Sequence, residues 1–151
     1  MKKIVIVSSC LLGMRTKYNG ESNKSITILE LSHKFLFVPL CPEQLGGLST
    51  PRPPAEIIGG KVITINGIDV TENYLRGAEE ALYFAKIYNV RYAILKDGSP
   101  SCGSNYIYDG SFSGKKVMGM GITARLFKKN GIKVFSEKNL EAFLNETEKQ
   151  E

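Results

Sequence analysis

The chain has 151 residues, 42% hydrophobic and 23% charged, with twenty basic against fifteen acidic side chains and a formal net charge of +5. That length fits one domain able to bury a core without disulfides or a structural metal, so stability alone does not account for the three cysteines. No apolar run reaches the roughly 18 residues of a membrane span. Scattered lysines in a chain without tryptophan argue against a basic-aromatic nucleic-acid surface, while the charge still favours small anionic partners.

The N-terminus MKKIVIVSSCLLG has lysines before an apolar stretch, but Ser8 and Ser9 interrupt it and no small-residue cleavage pattern follows. KIVIVSS therefore reads as a buried parallel strand, and the protein as cytoplasmic. NKSITILELSHKF suggests a helix with Ile26, Leu29 and Leu31 apolar, and FLFVPL a second strand. PRPPAEIIGG reads as a proline-rich loop, and KVITINGIDVT as a hairpin turning at Asn66-Gly67. Thr71 is placed to cap the helix TENYLRGAEEALYFAKIYNV, whose Tyr74, Leu75, Ala78, Ala81, Leu82 and Ala85 keep helical spacing. RYAILK makes a third main strand, YIYDGSFSGK a small hairpin, GITARLFKKNG a helix stopped by Gly131, and IKVF a fourth strand. EKNLEAFLNETEKQE closes with a helix that frays, giving one domain over residues 1–146 and a polar tail over 147–151. Strands alternating with helices predict an α/β fold: a single Rossmann-like domain with a mainly parallel sheet, helices on both faces and small hairpin insertions.

Cys10, Cys41 and Cys102 each follow one of the first three main strands. In an open parallel sheet the carboxyl ends lie along one edge, where ligand crevices form, so three cysteines far apart in sequence are expected to meet. A disulfide would leave one over and is unexpected in the cytoplasm. A structural zinc usually takes four ligands, commonly from CxxC pairs, and none is present. His33, the one histidine, falls in the first helix as a surface or packing residue. Three thiolates without a fourth ligand suit an iron–sulfur cluster with one open iron. Three unrelated buried cysteines are the alternative, and the turn-rich surroundings SSCLLG, LCPEQLGG and SPSCGS weigh against it.

SSCLLG followed by YNG, then CPEQLGGLSTPRPPAEI, then LKDGSPSCGS resembles, in order and across nearly the whole chain, the family long labelled domain of unknown function 523, which includes the thiouracil desulfidases. The resemblance implies a 4Fe-4S cluster on Cys10, Cys41 and Cys102, with one open iron that accepts sulfur from a thiolated pyrimidine base or nucleotide such as thiouracil or 4-thiouridine monophosphate. It implies release of uracil, or its nucleotide, and sulfide, which a further acceptor could take up.

Glu43 in CPE is placed to act as general base toward water, or simply to complement a first helical turn behind Pro42; the resemblance favours catalysis. Ser99 and Ser101 could donate to the pyrimidine or relay a proton, and serine is also an ordinary turn residue. The resemblance implies that one serine of this loop takes part without saying which. Tyr18 and Asn19, in a turn before Gly20, could bind a uracil edge, and Arg52 could meet a substrate phosphate with its planar fork. Gly119, Gly121 and Thr123 are weaker candidates for an anion at a helix start, and Lys96 and Asp97 read as a pair at a strand end. The alternatives from other classes are a non-catalytic iron–sulfur or metal-binding sensor of sulfur or redox state, and a binder of thiolated RNA.

Overall fold

The computed structural model describes residues 1–149. In chain order the elements are β1 (Lys3–Ser8), α1 (Ile26–Glu30), β2 (Phe35–Leu40), α2 (Pro42–Leu45), β3 (Ala55–Ile58), β4 (Lys61–Thr64), α3 (Thr71–Ile87), β5 (Tyr92–Ile94), β6 (Tyr106–Tyr108), β7 (Lys116–Met118), α4 (Ile122–Lys129), β8 (Lys133–Phe135) and α5 (Leu140–Lys149). Four of the strands form a parallel sheet in the order β2-β1-β5-β8. The chain builds outward from β1 to β2 and then crosses back to β5 on the other side of β1. Strand order therefore reverses between β1 and β5, the place where such sheets open a crevice at their carboxyl ends.

The alternation of β1 explains why helices cover both faces. Val5 and Val7 point to one face and pack with Ile28, Phe35, Tyr92, Ile94 and Phe143, while Ile6 points to the other and meets Ala81, Ala85, Ala93, Leu95 and Phe127. Phe127 and Phe143 are fully buried, each such side chain stabilising the fold by roughly 1.5–3 kcal/mol through burial. No helix among the described residues is long and apolar enough to cross a membrane.

Several local expectations are corrected. The proline-rich segment is not all loop: Ala55–Ile58 is a strand that pairs antiparallel with Lys61–Thr64. Gly59 and Gly60 make the turn, both at positive φ (56° and 81°), which suits the tight hairpin geometry that favours glycine pairs. The expected turn at Asn66-Gly67 is present as a short arm on the other side of β4: the Thr64 and Val70 amides donate to the Ile68 and Val62 carbonyls around an antiparallel bridge from Ile63 to Asp69. Thr71 is the first residue of α3 rather than its cap; its hydroxyl donates to Asp69 Oδ1 and accepts the Val62 amide. The first helix is short, capped by Ser25, and continues as a 3-10 turn over Leu31–His33. Of the expected tail 147–151, residues 147–149 complete α5, with Thr147 buried; residues 150 and 151 lie outside the described residues.

A glycine contact seats α2. A Cβ on Gly77 of α3 would come within 1.8 Å of the Pro42 carbonyl oxygen, and one on Gly46 within 1.9 Å of the Asn73 carbonyl oxygen. The two backbones touch directly, and this fixes the short helix that carries Glu43.

Candidate active site

Cys41 directly follows β2, and Cys10 lies in the 3-10 turn Ser9–Leu12 that follows β1. Cys102 sits in the loop after β5, folded back by Ser99, whose Oγ accepts the amides of Ser101 (3.0 Å) and Cys102 (2.9 Å). All three cysteines are free and line one cavity of about 500 Å³. Burial pushes all three thiols above their ordinary pKa, most strongly at Cys102, where hydrogen bonding with Ser8 opposes it. At Cys10 the Asn23 amide, 3.4 Å from Sγ, likewise favours the thiolate.

Glu43 faces the same cavity from the first turn of α2. Its Oε1 accepts from Arg52 Nε at 2.8 Å and from the Tyr74 hydroxyl at 2.9 Å, while Ser99 Oγ lies 3.4 Å from Oε2. Arg52 and Glu43 form a nearly enclosed ion pair, their side chains 6% and 13% exposed. Arg52 Nη1 donates to the Ser49 carbonyl and Thr50 Oγ1, and Nη2 to the Thr16 carbonyl (2.8 Å) and, at 3.9 Å, to Cys41 Sγ. Burial works against the Arg52 charge, and the neighbouring carboxylate more than restores it. Burial, and then Glu43, pushes the Tyr74 hydroxyl far up, so Tyr74 remains a proton donor to the carboxylate.

On the other side of the crevice Lys96 Nζ pairs with Glu137 Oε2 at 3.0 Å. Asp97, 2% exposed, gathers the following loop: it accepts the amides of Asn105 (2.7 Å), Ser104 (3.2 Å) and Tyr106 (3.4 Å), and Asn105 Nδ2 at 2.8 Å.

The sequence profile of 2-thiouracil desulfurases matches residues 5–139. The chain belongs to that family. A protein of Bacillus subtilis strain 168, the uncharacterized YbbK, is 48% identical over 93% of this chain and 100% of its own length. The solved structure of TudS, a 4Fe-4S-dependent thiouracil desulfidase, superposes with a TM-score of 0.92 at 44% identity, covering 97% of this chain and 99% of that one.

Within this desulfurase fold the sequence-based candidates separate. Cys10, Cys41, Cys102, Glu43, Ser99, Tyr18 and Arg52 line the common cavity. Ser101 does not: its side chain is fully buried, and Oγ pairs with Thr123 Oγ1 at 2.8 Å. Asn19 turns away to close a local turn, accepting the Glu21 amide and donating to the Glu21 carboxylate. Arg52 lines the cavity, yet each of its five N–H groups has an acceptor in the contacts above, so its fork holds Glu43 and the Cys41 loop rather than reaching for a phosphate. The helix start at GMGITAR is likewise occupied: the amides of Gly121, Ile122, Thr123 and Ala124 donate to the carbonyls of Gly103, Pro100 and Ser101. A Cβ on Gly121 would come within 2.4 Å of the Ser101 carbonyl oxygen, so this glycine serves close packing of the cysteine loop. His33 is exposed at the end of its turn, Nδ1 on the Glu30 carbonyl. Sequence reasoning missed Asn23 and, as a site residue, Tyr74; their partners lie 13 and 31 residues away, and no local pattern marks such pairs.

The donor set fits an iron–sulfur cluster. Three free thiols lining one cavity suit a cluster whose irons take one thiolate each, and soft sulfur donors favour it.

Proposed function

We propose that this chain is a 4Fe-4S-dependent desulfidase acting in the cytoplasm on thiolated uracil compounds, 2-thiouracil and 4-thiouridine monophosphate, to give the uracil form and sulfide. The observation that carries the proposal is the convergence of three free cysteines from three strand ends on one cavity beside a half-buried, hydrogen-bonded carboxylate. The family and the structural likeness to TudS support it. A volume of about 500 Å³ lies in the range of small-molecule sites, which supports a substrate of that class.

Cys10, Cys41 and Cys102 would hold the cluster, which supplies an iron free of protein ligands as a soft Lewis acid for sulfur. The rest of the chemistry falls to this chain's own groups. Exchanging C=S for C=O forms a bond from water oxygen to the ring carbon and breaks the C–S bond; both water protons end on sulfide and no electrons are exchanged with an outside partner. Glu43 takes the first proton. Arg52 and Tyr74 hold Oε1, which leaves Oε2, beside the Ser99 hydroxyl, directed to the water. Ser99 is fixed by the two amides it accepts, so its one proton points toward Glu43 and the cavity. Tyr18 forms part of the cavity wall.

Glu43→Gln tests the assignment. Iron content should stay at the wild-type level while sulfide release from 2-thiouracil falls about 10²- to 10⁴-fold, the span of general acid–base catalysis. Undiminished turnover would remove Glu43 from the chemistry. A wild-type protein that holds its cluster and releases no sulfide from either compound would favour a sensor.

A further inference from the structure

The loop between β6 and β7 contains a residue out of keeping with its neighbours. Ser111 and every residue from Ser113 to Met118 are exposed, whereas Phe112 is half-buried and lines the site cavity. Its backbone is at φ 56°, a left-handed conformation that costs a bulky residue energy and persists only where surrounding contacts impose it.

Those contacts come from Glu56 on β3. Its Oε1 accepts the amides of both Gly110 (2.9 Å) and Phe112 (3.2 Å). Gly110, itself at positive φ, lies so close to β3 that a Cβ there would come within 2.8 Å of Ile58 Cγ1 and 3.0 Å of the Ile57 carbonyl oxygen. The loop is thus fastened to the β3–β4 hairpin by a carboxylate that bonds its backbone and holds the phenyl ring at the cavity. Four aromatic side chains line the cavity, and Phe112 is the one whose ring lacks a hydroxyl, the others being Tyr18, Tyr74 and Tyr108.

Building on the desulfidase reading, we propose that Phe112 is a substrate-binding residue that stacks on the face of the bound pyrimidine, and that Glu56 is the positioning residue that keeps it there. Stacking uses the π-face that every pyrimidine offers, thiolated or not. The contact therefore contributes to binding of substrate and product alike, and it appears in KM rather than in kcat.

The test uses anaerobically reconstituted full-length protein, with uracil binding followed by calorimetry and 2-thiouracil turnover by sulfide release. A base stacked on an aromatic ring is worth about 1–3 kcal/mol, so Phe112→Ala should weaken uracil binding and raise KM by roughly 5- to 150-fold, with iron content and kcat within a few-fold of wild type. Phe112→Tyr should restore most of the loss and Phe112→Leu little of it. Glu56→Gln should reproduce part of the Phe112→Ala effect, and the two changes combined should do little more than Phe112→Ala alone. Wild-type affinity and KM in Phe112→Ala, or full rescue by leucine, would overturn the stacking role while leaving the desulfidase reading intact. Wild-type protein that neither binds uracil nor releases sulfide from 2-thiouracil would overturn both.

Discussion

Asp97 links the sheet to the loop that carries Cys102, and Asp97→Asn should loosen both. The carboxylate accepts three backbone amides through Oδ1 and the Asn105 side chain through Oδ2. Asparagine keeps one oxygen but turns an NH₂ toward Asn105 Nδ2, replacing a 2.8 Å hydrogen bond with two opposed donors. A bond to a charged group is worth about 1.5–3 kcal/mol, and the remaining bonds weaken when their acceptor becomes neutral. A total of about 3 kcal/mol follows, which for a domain near this size lowers Tm by about 10 °C. Burial alone would raise the Asp97 pKa, and hydrogen bonds led by the Asn105 amide outweigh it, leaving the carboxyl below its ordinary value. The stabilisation is then complete above the ordinary aspartate pKa of about 3.9 and is lost as pH falls toward the lower folded value. Thermal unfolding of both proteins at pH 7 and pH 3 should therefore show a wide gap that narrows in acid, and the variant should retain less iron. A Tm at pH 7 within about 2 °C of wild type, or a gap that does not narrow, would refute this reasoning.

Gly77→Ala should push α2 away, because the new Cβ has no room against the Pro42 carbonyl oxygen; sulfide release should drop at least tenfold with α3 intact by circular dichroism, and a fully active variant would contradict the close contact. Ser99→Ala should lower kcat through loss of its hydroxyl beside Glu43 and two amide partners. Ser101→Ala should act on Tm, since that hydroxyl bonds only Thr123 among the described residues. Comparing kcat with Tm for both variants checks the assignment, and the opposite pattern would reverse the roles of the two serines.

The placement of the cysteines was legible because it depends only on recognising parallel strands and their carboxyl ends, and β1, β2 and β5 advertise themselves as β-branched or apolar runs. The choice between Ser99 and Ser101 was not legible. Residues two apart in a turn can face opposite ways, and only the folded loop shows Ser99 at the cavity and Ser101 against Thr123. Arg52 read as a residue that could meet a phosphate because its acceptors include backbone carbonyls of Thr16 and Ser49, which carry no signature in sequence. Strand β3 was hidden by the prolines before it; Pro53 and Pro54 end where Ala55 begins to pair, and the Gly59-Gly60 turn that joins it to β4 stands beside the Asn66-Gly67 turn on the other side of β4. The glycines at 46 and 77 carried no signal and Gly121 read as a weak anion contact; the purpose of all three appears only where a second backbone lies against them.

The most direct measurement is sulfide release from 2-thiouracil, with 4-thiouridine monophosphate alongside, by protein reconstituted anaerobically with iron and sulfide, the iron and labile sulfur being quantified in the same sample. The expected result is about four irons per chain, as a 4Fe-4S cluster requires, together with catalytic sulfide release, both lost in Cys102→Ala. Failure to take up iron, or a filled cluster that releases sulfide from neither compound, would contradict the assignment of this site as a cluster-dependent desulfidase.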